Sequence, residues 1–310
     1  MQQVKHVLQL CHGYKPPFLD VARQWAALFK GVDAYPGIAF KVTTVFLTGA
    51  RDETVAASVA SDEVIFLENT SKDLRGLKRK QIRQLRALCK AKEFCLGIAH
   101  RYKALYILSH VSNLPVVGVH HAFGDYQRKT RQWYVYRKRS QIALFAVSNA
   151  VRDDIRTSLP KLPKELINTL YNRIDYVALR SAQFDRGEAR QKLGLSKTDY
   201  IFANVGRLHP DKDQRTLIDG FSKVVEALPN AKLVILGKGR LESELKAQTN
   251  SLQLEDRILF LGMKPDGYKY FKAFDSFVLT SDHEPFGMVL LEAMAAGLPI
   301  ICSDCGGGRA

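Results

Sequence analysis

Short runs of β-branched and aliphatic residues recur along the whole chain, each parted from the next by a stretch of helical periodicity. This alternation leaves few folds open. A helix between two strands returns the chain to the same end of a sheet, so consecutive strands run parallel and the fold class is α/β. In the first half the pattern predicts strands at Lys5–Cys11, Lys41–Thr48, Val64–Glu68, Cys95–Ile98, Val116–Val119 and Ala143–Val147. Helices are expected between them, including Phe18–Phe29, Leu77–Ala91, Tyr102–Val111 and Tyr126–Arg139. In the second half the strands are Tyr200–Val205, Lys232–Leu236, Ile258–Leu261, Ser276–Leu279 and Pro299–Cys302. Between the first two of these, a helix over Asp213–Leu228 would align Leu217, Ile218, Phe221, Val224, Val225 and Leu228 in one core-facing stripe. Asp213 can cap its start, and Pro229-Asn230 stops it. A chain of 310 residues supports about two domains. A fresh helix-then-strand series begins after Asn172–Arg180, which gives an expected first domain at 1–175 and a second at 176–310.

An apolar fraction of 46% with 25% charged residues is soluble globular material and excludes disordered and fibrous classes. The longest stretch without a charged residue, Ala104–Gly124, is interrupted by Ser109, His110, Pro115, His120 and His121, so it does not read as a membrane span. The N-terminal apolar run is too short for a signal peptide, and five cysteines without framework spacing fit a reducing cytoplasm. The net charge of +15 is uneven: residues 1–180 hold 29 Lys and Arg against 14 Asp and Glu, whereas residues 181–310 hold 17 of each. The basic half therefore either presents a solvated face or meets a polyanion. Its cations concentrate in two clusters. Arg75, Lys78, Arg79, Lys80, Arg83 and Arg86 lie along one helix and its approach; Arg128, Lys129, Arg131 and Arg137 bracket Trp133, Tyr134 and Tyr136. Basic residues beside aromatics suit an anionic membrane interface. Single-stranded nucleic acid would also accept them, but no nucleic-acid-binding motif accompanies them.

The segment Ser281–Ser303 is the richest in chemistry. It reads as a helix over 287–296, closed by Gly297 at the C′ position with Pro299 beyond. Its first turn leaves free amides at Gly287, Met288 and Val289, a setting that favours anions and oxygen-rich ligands. Glu284 precedes the helix and Glu292 lies eight positions later, so two carboxylates can face one ligand from two depths. Glu284 alone would serve as a charge at the helix dipole. Glu292, among Val289, Leu290, Leu291 and Ala293, needs a partner, and a sugar hydroxyl pair would satisfy it. The second segment, Asn204–Asp213, joins a strand to a helix. Gly206 turns the chain where open α/β sheets bind ligands, and Arg207 and Lys212 could there neutralise a diphosphate without a metal.

Arg207…Lys212 with Glu284-Pro285-Phe286-Gly287…Glu292 resembles the retaining GT-B-fold glycosyltransferases of family 4, the group 1 glycosyltransferases, most like those of lipopolysaccharide core and other bacterial surface polysaccharides. Further family-like features are Ala146–Val151, Asn172-Arg173-Ile174-Asp175 and Gly237-Lys238-Gly239. The resemblance implies two Rossmann-like domains facing a cleft, the first for the acceptor and the second for a nucleotide-diphosphate sugar, UDP-sugar favoured. Carried over by position, Arg207 and Lys212 hold the diphosphate, Glu292 the ribose, and Glu284 the transferred sugar. Phe286, Gly287, Met288 and Val289 line the sugar and phosphate site. Pro115–His121 matches the strand that ends in an active-site histidine; counting from Pro115 favours His121, with His120 close behind. The implied route is front-face attack assisted by the departing phosphate. The expected partners are an anionic glycolipid acceptor and the inner face of an anionic membrane, with no nucleic acid, no cofactor and no metal. The chain stops at Cys305–Ala310, where family members continue, so the second domain is expected to be incomplete.

Asp211-Lys212-Asp213 spells the metal motif of the other main glycosyltransferase fold, but here it opens a helix, and capping accounts for Asp213. Cys302-Ser303-Asp304-Cys305 has half-zinc spacing without a second ligand pair. Two other functions share these features: a sugar-nucleotide epimerase of the same fold, and a non-catalytic polyanion-binding protein.

Overall fold

The structure, a computed structural model, describes residues 3–15, 18–30, 38–111 and 114–309. Met1, Gln2 and Ala310, which the expected domains include, lie outside the described residues. The chain divides into two units, Met1–Tyr171 and Asn172–Ala310, the division falling four residues before the expected one.

The first unit is built on strands β1 (Gln3–Cys11), β2 (Ile38–Thr48), β3 (Glu63–Asn69), β4 (Leu96–His100), β5 (Val116–His120), β6 (Ile142–Ala146) and β7 (Ile167–Thr169). They form one parallel sheet in the order β3-β2-β1-β4-β5-β6-β7. The order reverses between β1 and β4, the topological switch point at which open α/β sheets hold ligands. Val7, Leu8, Leu10 and Cys11 of β1 are all buried, as a strand covered on both faces demands. β7, only three residues long, was not anticipated; it extends the sheet by pairing Leu144 with Ile167.

The second unit repeats the design with β8 (Tyr200–Val205), β9 (Ala231–Leu236), β10 (Ile258–Gly262), β11 (Ser276–Leu279) and β12 (Ile300–Cys302). These strands are parallel in the order β10-β9-β8-β11-β12, so its switch point lies between β8 and β11. Alternate residues of β9 serve opposite layers. Leu233 and Ile235 pack with Leu217, Ile218 and Phe221 on one side, and Val234 and Leu236 pack with Ala189, Leu193 and Phe274 on the other.

Several helix boundaries differ from expectation. The helix expected over Asp213–Leu228 spans Gln214–Ser222 only, and the chain continues in turns, with Val224 and Leu228 exposed. Turns bonded from Lys223 to Gly220 and from Val224 to Phe221 keep nearly the same three-to-four-residue spacing, so periodicity alone does not separate them from a helix. Asp213 does cap this helix, accepting a hydrogen bond from the Thr216 amide. The remaining expected helices of the first unit are Phe18–Lys30, Arg79–Ala91, Arg101–Leu108 and Lys129–Arg137, each shifted or trimmed at its ends. The helix after Gly287 spans Met288–Ala295. Gly297 (φ 75°) closes it in a Schellman arrangement, Leu298 N–H to Ala293 O at 3.1 Å and Gly297 N–H to Met294 O at 2.9 Å.

Candidate active site

In the second unit, the loops that leave the C-terminal ends of β8 and β11 meet at the switch point. They bring Lys212 and Glu284, 72 positions apart in sequence, to 2.5 Å between Nζ and Oε2, with 16% and 9% of their side chains exposed. The Thr280 hydroxyl donates to the carbonyls of Lys212 and Asp213 and ties the two loops together. Buried Gln214 donates to the Arg207 carbonyl, and buried Asn204 donates to the Val278 carbonyl, which holds β8 against β11. Two sequence-selected residues thus form one nearly dry ion pair. Removing the partner of such a charge costs far more than removing a surface ion, so the pair holds both side chains at the same point.

Arg207 stands apart from that pair. Its side chain is 70% exposed and lies 3.4 Å from Asp211, on its own loop. Asp211 also bonds His209. The Asp-x-Asp sequence is therefore divided between a surface ion pair and a helix cap. No cluster of three or more potential metal ligands exists among the described residues. Glu292 is half-buried on the helix Met288–Ala295, and its main-chain carbonyl accepts a hydrogen bond from Gln183.

Glycines shape the walls of this site. A Cβ at Gly237 would lie 1.8 Å from the Gly206 carbonyl oxygen, and one at Gly239 would lie 2.1 Å from that of Leu208. Gly237-Lys238-Gly239 is therefore the only kind of sequence that lets the loop after β9 press its backbone against the Arg207 loop. A Cβ at Gly307 would sit 2.3 Å from the Glu284 carbonyl oxygen. The glycine run after β12 thus supports the Glu284–Phe286 backbone. Sequence reasoning did not assign this role to Gly307; three consecutive glycines after a strand were the available signal. Gly287 takes φ 82° as the residue before the helix, a conformation that only glycine adopts freely, and no side chain caps its amides.

The first unit holds the histidines, and the geometry separates them. His120 ends β5 with its ring fully buried; Nδ1 lies 2.7 Å from Asp125 Oδ2, and the Tyr126 hydroxyl lies 2.9 Å from Nε2. Both ring nitrogens are hydrogen-bonded within the first unit, so His120 braces the Asp125–Tyr126 segment. Burial works against the Asp125 carboxylate, but the His120 hydrogen bond and Arg131 outweigh it and hold its pKa below the usual range. Burial pushes the Tyr126 phenol well up, so it stays a donor.

His121, the first residue after β5, meets different partners. Its Nε2 lies 3.1 Å from Nδ1 of His100, the last residue of neighbouring β4. Burial, with Arg101 and His120 nearby, pushes the His121 pKa down to about 3. Burial and His121 depress His100 as well, so both rings are neutral at ordinary pH and one donates to the other. Trp25 abuts His100 edge-on at 5.4 Å. Arg101, in the left-handed region at φ 72°, places its guanidinium over Phe18. His12 follows β1, and burial with Lys103 and Arg101 lowers its pKa. The C-terminal ends of β1, β4 and β5 thus carry His12, His100 and His121 at the switch point. His12 and His100 were missed, although each immediately follows or ends an apolar run, as Cys11-His12-Gly13 and Ala99-His100-Arg101.

Comparison with known proteins follows the same division. Residues 185–310 match the family described as glycosyl transferases group 1. An uncharacterised glycosyltransferase of Methanocaldococcus jannaschii is 38% identical over 116 residues, covering 37% of this chain and 29% of that protein. The lipopolysaccharide core biosynthesis mannosyltransferase LpsB of Rhizobium meliloti is 32% identical over 128 residues, covering 40% of this chain and 36% of its own. The alignments therefore span well under half the length of these curated relatives. The solved structure of Anabaena HepE in complex with UDP superposes with a TM-score of 0.77 at 21% identity, covering 99% of this chain and 82% of that one. The two parallel Rossmann-like sheets match those of GT-B glycosyltransferases.

Proposed function

Residues 185–310 being a glycosyl transferases group 1 domain, we propose that this chain transfers a hexose from a UDP-sugar to an anionic glycolipid, with retention at the anomeric carbon and without a metal. The observation that carries the reading is the Lys212–Glu284 pair, held at 2.5 Å at the second unit's switch point. A diphosphate entering there takes Lys212 as its counter-ion, with Arg207 swinging in from the surface. Glu284, released from Lys212, accepts from hydroxyls of the sugar. Glu292 takes the ribose, and the amides of Gly287, Met288 and Val289, beside Phe286, receive the remaining oxygens. In the first unit, His121, kept neutral, donates to or accepts from a hydroxyl of a bound saccharide without adding charge.

In the transfer the acceptor oxygen bonds to the anomeric carbon as the bond to the diphosphate oxygen breaks. The bonding pair stays on that oxygen, which also receives the acceptor's proton. Lys212, Arg207 and the helix amides stabilise the charge that develops there. The likeness to LpsB of Rhizobium meliloti supports a place in lipopolysaccharide core synthesis, and the crystallised UDP complex of HepE supports the choice of uridine. No helix among the described residues is long and apolar enough to cross a membrane. The basic first unit would hold the enzyme peripherally on an anionic inner membrane face.

Calorimetry with UDP tests the donor site. Arg207→Ala and Glu292→Ala should each lose about 1.5–3 kcal/mol of binding free energy, the worth of a hydrogen bond to a charged group. Unchanged affinity in both variants removes the assignment. Turnover of a UDP-sugar with no acceptor present would favour an epimerase instead.

A further inference from the structure

Arg75 and Lys78 of the first basic cluster and most of the second, some 50 positions further on, line one cavity of about 1050 Å³ in the first unit. Its floor is aromatic: Tyr106 and Tyr134 lie 4.8 Å apart between ring centroids, His110 stacks on Tyr134 at 5.0 Å, and Tyr102 meets both tyrosines at 6.3 Å. Its rim is cationic, with Arg75, Lys78, Lys103, Arg128, Lys129 and Arg131 among the lining residues and no Asp or Glu. Within the rim, the Lys78 ammonium sits 4.9 Å over the Tyr106 ring, and the Arg131 guanidinium sits 4.6 Å over Tyr102. Of these six cations, only Arg131 approaches a carboxylate among the described residues, Asp125 at 3.7 Å. Burial, together with the nearby charges of Lys103 and Arg131, holds the Lys78 pKa down. Like charges are thus crowded here at a cost to the folded state.

The helix Arg79–Ala91 starts beside this cavity, and the helices Arg101–Leu108 and Lys129–Arg137 line it from their first turns, as far as His110 just past the one and Arg137 at the end of the other. None has a side-chain cap or an acidic residue in its first turn, so the cations there stand against the helix dipole, a conflict that a multiply charged anion would relieve. The cavity also adjoins the histidine cluster. Tyr102 follows His100 and Arg101, and Arg131 donates to the Asp125 carbonyl at 2.7 Å, where Asp125 in turn braces His120.

We propose that this cavity seats a phosphorylated saccharide, its phosphate monoester or diphosphate held by Lys78, Lys103, Arg128 and Arg131 and its ring laid on Tyr106 or Trp133. Calling that saccharide the acceptor rests on the glycosyltransferase reading above; its binding does not. The phosphate can come from a soluble sugar phosphate or from a lipid-borne one. The cavity does not need a continuous membrane face to fill it.

The test uses the full chain and three probes: glucose, glucose 6-phosphate, and phosphatidylcholine vesicles with or without phosphatidic acid. Binding is followed by calorimetry and by the emission of Trp133, which lines the cavity. Wild type and the donor-site variant Arg207→Ala/Lys212→Ala should bind glucose 6-phosphate equally and glucose far more weakly. Lys103→Gln/Arg128→Gln should lose at least about tenfold in affinity for glucose 6-phosphate, as should Lys78→Met, with circular dichroism confirming the fold. A parallel loss of phosphatidic acid vesicle binding assigns the phosphate to a lipid; vesicle binding that does not change assigns it to a soluble sugar. Equal affinity of wild type and the cavity variants overturns the proposal. So does vesicle binding with no glucose 6-phosphate binding, which leaves only surface attraction. Absence of UDP binding by the wild type, with glucose 6-phosphate binding intact, would instead fail the transferase reading and leave this one standing.

Discussion

Acidification should destabilise the first unit through the paired histidines, and His121→Gln should remove the share of that effect that His121 carries. The His121 pKa is about 3 in the folded protein, against an ordinary 6.5 once the chain unfolds. Between those values the unfolded state binds a proton that the folded state refuses. The stability contributed by the neutral ring is therefore complete above about pH 6.5 and is lost as the pH falls toward 3. The loss is about 1.4 kcal/mol per pH unit, so falling from pH 6.5 to 5 costs about 2 kcal/mol. His100 is depressed in the same direction by burial, and the 3.1 Å contact between the rings forbids charging both. Glutamine can still pair with His100 but cannot take up a proton. His12, also lowered by burial, is common to both proteins and drops out of their difference. Asp125 titrates below this window.

The assay is urea denaturation at several pH values between about 7.5 and 5, followed by tryptophan emission. The chain has two tryptophans, Trp25 and Trp133, both in the first unit, and Trp25 touches His100. Wild type should lose about 2 kcal/mol more than His121→Gln across the range. Parallel losses would show that His121 is not held neutral by burial, and its role as an uncharged sugar contact would fall with that.

Three further outcomes follow from the second unit. Lys212→Met and Glu284→Gln should each cost about 3 kcal/mol by leaving the other group buried without its partner. The double variant should cost clearly less than the sum, measured by circular dichroism because this unit has no tryptophan; additive costs would refute the coupling. Gly237→Ala, whose methyl would meet the Gly206 carbonyl, should cost more than about 3 kcal/mol, while Gly194→Ala, with φ 68° and open space around it, should cost only about 1 kcal/mol in the same melts. Sugar transfer should persist in EDTA; activity that vanishes with chelator and returns with magnesium or manganese would bring Asp211 and Asp213 back as ligands.

What the sequence determines by itself is whatever depends on neighbours within a turn or two. Side-chain periodicity is a property of the local backbone, so β8 and β11 can be read to the residue, and strand-helix alternation dictates parallel sheets before any contact is known. Caps are local too: Asp213 and Gly297 stand where the reading puts them, and Gly287 is displaced by one residue, from the first turn to the position before the helix. The candidate residues were chosen on the same local ground, Arg207, Lys212 and Glu284 for standing beside a strand end or a helix start and Glu292 for lying within the helix that follows Gly287.

Only the tertiary structure decides between residues that look alike in sequence. His120 and His121 are adjacent and identical, yet the end of β5 gives them different partners, Asp125 and Tyr126 for one and His100 for the other. Lys212 and Glu284 become a pair because β8 and β11 are neighbours in a sheet whose order no local pattern encodes. Arg207, two residues past the same strand, is left at the surface. Likewise the basic clusters read as two patches along the chain, but the fold brings Arg75 and Lys78 of one against the helix that carries the other, and both line one cavity. Sequence spacing sets what a residue can do, whereas burial and partner choice depend on chain segments brought together from far apart.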